Sequence, residues 1–225
     1  KEIFLSLFAY RSSHFIFFMV KEGYPFVLAF ILIAVLFALA AFVFASPYFW
    51  IGAIAFVLVA LFMAYFFRDP HRVISGEADI IVSPADGRVT RVEENENGKF
   101  ISIFLSPVDV HINRSPIAGR VTKVEYISGK KMPATSNQAS IINERNLLTI
   151  EGEKITVVCT QIAGIVARRI VCWKKAGDTL ALGERFGLIK FSSRTDLQMP
   201  SNVDVLVKVD DKVKGGETII GRIIN

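Results

Sequence analysis

Charge is missing where a soluble protein could least do without it. From Gly23 to Phe67 the 225-residue chain has 45 consecutive positions with no Asp, Glu, Lys or Arg. Cysteine is nearly absent: Cys159 and Cys172 are the only two, with no C-x-x-C spacing, and both sit in apolar runs (VVCT and IVCW). This excludes a disulfide scaffold and reads as two buried free thiols in a reducing compartment. With three histidines and two isolated cysteines, the ligand sets of structural zinc are lacking and no metal is expected. The net charge of +5 permits an anionic partner, yet no Lys/Arg run has interleaved aromatics, which argues against nucleic acid and leaves lipid as the anion. No Gly-x-Ser-x-Gly elbow occurs, and after Arg68 there is no long amphipathic helical period. What the chain has in excess is apolar surface, 52% of residues, which excludes disorder.

That excess is concentrated. Phe26 to Ala45 is twenty apolar residues, a helix of about 30 Å at about 1.5 Å per residue, the thickness of a bilayer core. Ser46-Pro47-Tyr48 breaks the run, and Phe49 to Phe67 is a second of 19, interrupted only by Gly52. Two spans with so short a connector predict a transmembrane helical hairpin, or a re-entrant one that leaves the globular domain on the same side. Lys1, Arg11 and Lys21 before the hairpin and Arg68 and Arg72 after it place both ends in the cytoplasm by the positive-inside rule. The length and doubling of the run exclude a signal peptide. Residues 1–22 mix apolar and charged types as an interfacial amphipathic segment does. The expected organisation is therefore 1–22 interfacial, 23–67 membrane hairpin and 68–225 a globular domain facing the cytoplasm.

The last 158 residues carry 23 Lys+Arg and 19 Asp+Glu, an ordinary globular balance. Short runs rich in Val, Ile and Thr (ADIIVSPADGRVTRV, KFISIFLS, GRVTKVEYI, KITVVCTQIAGIV, FGLIKF, VDVLVKV) alternate with Gly and Pro every eight to twelve residues. This predicts a mainly-β sandwich or barrel. Residues 130–146 read as a polar loop. Gly-x-Val recurs in ADGRVTRV, IAGRVTKV and IAGIVARR, and AGDTLALGERFGLI resembles DDKVKGGETIIGRI. Such pieces resemble the hammerheads of biotin and lipoate carrier domains, but the modified lysine is absent, so the repeat is read as architecture.

Three clusters hold chemistry-bearing residues. Ser83-Pro84-Ala85-Asp86-Gly87 is by itself a turn signal. Leu105 to Pro116 (LSPVDVHINRSP) contains His111, the one histidine of the globular domain away from the membrane junction and hence its ready proton shuttle near neutral pH. Lys190 to Asp196 (KFSSRTD) carries Ser192 and Ser193. Together FFRDPHR, SPADGRV, FLSPVDVHINRSP, NERN, QIAGIVARRI and GERFGLIKFSSRTDLQMP resemble, in matching order from about Lys21 to Pro200, the short membrane-anchored form of the phosphatidylserine decarboxylase family.

The resemblance implies a carboxy-lyase that makes its own pyruvoyl cofactor from Ser193, the residue that then forms a Schiff base with a serine phospholipid, phosphatidylserine or archaetidylserine, and yields the ethanolamine lipid. Self-cleavage would fall between Ser192 and Ser193 and release a small subunit, 193–225, that stays with the large one. His111 would be the base, Asp86 its orienting carboxylate, and Arg168, Arg169 and Arg114 the candidates for the lipid phosphate. The long-form enzymes have a second histidine where this chain has Arg114. The family's cleavage pair is Gly-Ser; here it is Ser192-Ser193, which predicts a chain held as the uncleaved proenzyme. A homodimer stays open. Two other classes fit the residues alone: a tethered carrier-like β binding module, and a membrane serine hydrolase using Ser193, His111 and Asp86 directly.

Overall fold

The computed structural model describes residues 19–96, 98–130, 132–133, 139–164, 169–191 and 193–224. It divides into two compact units, the first ending at His71 and the second starting at Arg72. The first is an antiparallel pair of helices, α1 (Tyr24–Phe44) and α2 (Pro47–Phe66). Ala45 ends α1 in the left-handed conformation (φ 48°), and Pro47 starts α2, where its missing N–H has no partner to lose. Small residues seven apart, Ala34 and Ala41 on α1 and Ala53 and Ala60 on α2, are buried. That spacing keeps one seam facing the partner helix, and small side chains let backbones approach in an apolar solvent. A Cβ on Gly52 would lie 2.3 Å from the Phe37 ring. The opposite faces expose Leu28 (62%), Leu36 (56%), Leu58 (61%) and Leu61 (62%) with no charge among them. Both helices are long and apolar enough to cross a membrane. Of the expected interfacial segment 1–22, residues 1–18 lie outside the described set.

The second unit is mainly β. Its strands are β1 (Ile80–Val82), β2 (Gly87–Asn95), β3 (Gly98–Leu105), β4 (Ile112–Arg114), β5 (Gly119–Ile127), β6 (Arg145–Glu151), β7 (Thr156–Ala163), β8 (Arg169–Cys172), β9 (Thr179–Leu180), β10 (Arg185–Lys190), β11 (Ser193–Met199), β12 (Val203–Val205), β13 (Lys212–Val213) and β14 (Ile219–Ile223). They form one eight-stranded sheet, β13-β2-β3-β11-β7-β6-β5-β9, and two three-stranded ones, β1-β14-β12 and β4-β10-β8. The pairings are antiparallel throughout the described strands. Ile101, Ile103, Leu105, Leu148, Ile150, Val157, Phe186 and Leu197 build the core.

The repeat seen in the sequence is the plan of this unit. SPADGRVTRV and SPIAGRVTKV form equivalent turns leading into β2 and β5. Ser83 Oγ donates to the Ala85 carbonyl (2.7 Å), and Ser115 Oγ donates to that of Ile117 (2.6 Å). The Ser83 carbonyl accepts from Gly216 N (2.8 Å) and the Ser115 carbonyl from Gly183 N (2.9 Å). Both strands bulge at the same place, between Val89 and Arg91 and between Val121 and Lys123. Gly87 and Gly119 are needed for the same reason: a Cβ would sit 2.1 Å from the Phe104 carbonyl oxygen and 2.4 Å from that of Glu151, respectively. The large sheet is thus two like halves meeting at β11 and β7. The third Gly-x-Val, from Gly164, runs into residues 165–168, outside the described set.

One expectation is corrected. The 130–146 stretch, read as a loop, holds a short helix α3 (Ala139–Ile142), and β6 already starts at Arg145. Asn143 fixes it: its buried amide donates to the Met132 (2.8 Å) and Ala163 (2.7 Å) carbonyls and accepts from Met132 N (2.9 Å). Polar composition here marks an internally satisfied cap rather than solvated chain.

Candidate functional site

Ser193 opens β11 at the centre of the large sheet, opposite Leu105 of β3 and Ala163 of β7. It is fully buried, and among the described residues its Oγ has no hydrogen-bond partner. A buried hydroxyl left unsatisfied costs about 1–3 kcal/mol, so folding alone does not favour it. Two residues earlier Phe191 has φ 63°, a left-handed conformation that an aromatic residue adopts only under constraint. Strain and an orphaned nucleophile thus flank the position of Ser192, which lies outside the described set, as does Arg168.

The segment before His111 runs beside this point. Leu105 pairs with Ser193, and the carbonyl of His111 accepts from Ile189 N (3.2 Å) on the strand leading to Phe191. Between them lies a tight turn: Asp109 N donates to the Ser106 carbonyl (2.9 Å), and Asp109 Oδ2 accepts from Ser106 N (2.8 Å) and Ser106 Oγ (2.6 Å). His111 is 2% exposed, and its Nδ1 is 3.0 Å from the Asp109 carbonyl oxygen. A carbonyl can only accept, so Nδ1 carries the proton and the lone pair of the neutral ring is on Nε2.

Strand alternation joins the two segments. Asn113, two residues beyond His111, donates to Thr195 Oγ1 (2.8 Å), two residues beyond Ser193. Gln161 donates to Asn113 Oδ1 (2.9 Å), and Asn146 donates to Gln161 Oε1 (3.1 Å), so a row of buried amides backs this face of β11. On the other face Asp196 accepts from Arg194 Nε (2.8 Å) and Nη2 (2.9 Å), Ser102 Oγ (2.6 Å) and Ser140 Oγ (2.8 Å). Arg194 and Asp196 are each 3% exposed.

Asp86 stands where the other half of the repeat has Ala118. Its carboxylate accepts from Arg72 Nη2 (2.8 and 2.9 Å) and Gly215 N (2.8 Å). Burial raises its pKa above the ordinary carboxylate value, opposed by the Arg72 charge and the Gly215 N–H and reinforced by the nearby charge of Asp109. Arg114 is buried, Nη1 donating to the Gly183 carbonyl (3.2 Å). Arg169 begins β8, exposed, opposite Lys190. Cys159 is buried, its thiol pushed up by desolvation, and Cys172 is partly buried; both are free.

Sequence reasoning missed Arg72, Ser106, Asp109, Asn113, Thr195, Gln161, Arg194 and Asp196. Only the Ser-Pro-x-Asp turn carried a local signal; apart from the Arg194–Asp196 pair, two residues apart, the others meet partners further off in sequence.

Comparison with known proteins bears on this arrangement. A family model described as phosphatidylserine decarboxylase matches residues 59–221. Proteins named phosphatidylserine decarboxylase proenzyme are 46% identical in Symbiobacterium thermophilum and 42% in Magnetococcus marinus, each over 213 residues, 90% of this chain and 94% of the relative. One from Solibacter usitatus is 47% identical over 170 residues, 76% of this chain and 83% of the relative. The matched region takes in both halves of the repeat, the Ser193 strand and the His111 turn, and on these grounds the chain belongs to the phosphatidylserine decarboxylase family, a family of carboxy-lyases.

Proposed function

We propose that the chain is a membrane-anchored proenzyme, held largely uncut by Ser192, whose cleavage between Ser192 and Ser193 would let it decarboxylate phosphatidylserine or its archaeal-type analogue to the ethanolamine lipid. The observation that carries this is the buried, unpartnered Ser193 Oγ two residues after a left-handed Phe191. The word proenzyme in the relatives' names supports it.

In the cleavage, Ser193 Oγ adds to the Ser192 carbonyl carbon and the peptide C–N bond breaks, leaving an ester and a free amine on residue 193. His111 is the base for the hydroxyl, with Nε2 as its lone-pair nitrogen, and returns the proton to the departing amine. Loss of the Ser193 Cα proton then expels the Ser192 carboxylate, and water displaces ammonia from what remains. A pyruvoyl group is covalent and would need no separate cradle, and the buried Ser193 Oγ, with no hydrogen-bond partner among the described residues, supports its place there. That group supplies an electron sink for the carboxylate carbon's bonding pair.

The chain's own groups do the rest. His111 delivers a proton to the substrate carbon after CO2 leaves. Asp86 adds a negative charge within the site. Arg169 on exposed β8, together with Arg168 and Arg114, supplies guanidinium charge for the lipid phosphate. The charge-free hairpin spans the cell membrane with the catalytic unit on the cytoplasmic side, where headgroups are within reach.

Ser192 stands where the family has glycine. Serine carries a Cβ and a hydroxyl that glycine lacks, and a non-glycine residue costs about 1–2 kcal/mol wherever the backbone takes a positive φ, so the unaltered chain is expected to stay largely uncut. Intact mass tests the reading. Ser192→Gly yields two fragments, the smaller spanning 193–225 with a ketone in place of the Ser193 amine, and Ser192→Gly combined with Ser193→Ala yields one intact chain. An uncut Ser192→Gly protein refutes self-cleavage, and full cutting of the unaltered chain refutes the steric argument. The hydrolase alternative is separated by a fluorophosphonate probe, which leaves Ser193 unlabelled here.

A further inference from the structure

We propose that Asp109 is a positioning residue for His111: its carboxylate folds the 106–109 turn so that its own carbonyl fixes the imidazole in the Nδ1–H form and keeps the lone pair on Nε2. The proposal deepens the function above, resting on His111 as the base of self-cleavage.

Four contacts make the turn rigid. Ser106 N and Ser106 Oγ both donate to Asp109 Oδ2 (2.8 and 2.6 Å), Asp109 N donates to the Ser106 carbonyl (2.9 Å), and the Asp109 carbonyl lies 3.0 Å from His111 Nδ1. The carboxylate and the carbonyl belong to one residue, so locking the side chain to Ser106 fixes the direction of the main-chain oxygen. The two ends of the turn are tied to the strands on either side of the cleavage point: Leu105 pairs with Ser193 of β11, and the His111 carbonyl accepts from Ile189 N (3.2 Å) of β10. A base set by a carboxylate on Nδ1 gains from its charge as well as its direction, as in a triad. Here the acceptor on Nδ1 is an uncharged carbonyl. What the turn supplies is therefore the tautomer and the ring orientation, while Asp86, held by Arg72 and Gly215, supplies charge separately.

Asn at 109 keeps a side-chain oxygen that can accept both Ser106 bonds, whereas Ala keeps neither. Loss of the negative charge alone should therefore be tolerated and loss of the turn should not.

The test reads the ring itself. Full-length chain labelled with 15N-histidine, in detergent micelles at about pH 8.5, where an ordinary histidine is neutral, is analysed by two-bond 1H–15N correlation. Only three histidines contribute, and His111→Gln assigns the signal. In the parent chain and Asp109→Asn the pyridine-like nitrogen is Nε2; in Asp109→Ala the two tautomers share the population. If Asp109→Ala keeps the parent pattern, or Asp109→Asn loses it, the proposal fails. If Asp109→Ala loses its β-sheet circular dichroism, Ser106→Ala decides: a shift toward the mixed ring supports the proposal and an unchanged ring overturns it.

Cleavage gives the second reading. In a Ser192→Gly background Asp109→Ala should slow self-cutting about tenfold or more, part of the 10²–10⁴ that a general base contributes, and Asp109→Asn should stay within about threefold of its parent. If His111→Ala cuts as fast as its parent, the base assignment fails, and the ring measurement still judges the turn. If His111→Ala is inert and Asp109→Ala cuts at the parent rate, the turn is structural only and the proposal is overturned.

Discussion

Asp196 is the most exposed point of weakness in the interior, and its removal can be worked through in numbers. Its two oxygens take four hydrogen bonds, from Arg194 twice, Ser102 and Ser140. Asp196→Ala removes the carboxylate that the Arg194 guanidinium, 3% exposed, pairs with. Breaking one half of such a buried pair costs about 3–5 kcal/mol, whereas replacing both halves with apolar residues is often close to neutral. Ser102, fully buried, loses its acceptor in either case, at about 1–3 kcal/mol. The single variant should thus lose more than Arg194→Met with Asp196→Leu, by about 3 kcal/mol or more. In a unit of 154 residues, Arg72–Asn225, each kcal/mol moves Tm by about 2–4 °C, so the double variant should melt at least about 6 °C above the single one. Trp173 fluorescence in a Trp50→Phe background follows the catalytic unit without the hairpin. If the double variant melts at or below Asp196→Ala, the stranded charge is not the cause and the reasoning fails.

The same structure sets other expected outcomes. In a cleavage-competent background His111→Ala should slow self-cutting by about 10²–10⁴, measured by the rate of fragment appearance on denaturing gels. Deleting residues 1–67 should leave a folded unit that turns over membrane-embedded lipid poorly; equal rates for the two matured forms would refute a positional role for the hairpin. Arg72→Met should raise the Asp86 pKa further, leaving the Gly215 N–H to oppose burial and the charge of Asp109. Because the folded carboxyl then holds a proton that the unfolded chain releases above about 3.8, stability falls as pH rises through that widened window. Melting between about pH 4 and 8 should show a steeper loss in Arg72→Met than in the parent, and parallel curves would refute this.

What could be read from the chain beforehand depends on how far apart the partners lie. The hairpin was legible because a 45-residue gap in charge is a local fact, and the buried Ala34–Ala41 and Ala53–Ala60 seam adds only which faces meet. The Gly-x-Val repeat was legible because Gly87 and Gly119 answer the same close approach of a carbonyl. Asp86 and Ala118 occupy equivalent places in the same turn geometry, so local sequence offered only a turn. Ser193 is singled out only through a resemblance, since a serine opening a strand has no mark of its own. The Asn113–Thr195 and Ser102–Asp196 bonds span 82 and 94 residues, and nothing near any of these residues announces its partner.

The place of β11 has a consequence for the life of the molecule. It lies between β3 and β7, and the 33 residues from Ser193 to Asn225 also provide β12, β13 and β14 to two of the three sheets. The proposed cut at its start would therefore divide the chain without loosening it, since the central strand would stay stitched on both edges. The tether that brought those strands together would be gone afterwards. The uncut chain finds its partner strands intramolecularly, at a high effective concentration; the cut pair, once denatured, must meet by diffusion. The native state would then be a form reached once, from the intact chain, and held afterwards by the slowness of its own dissociation.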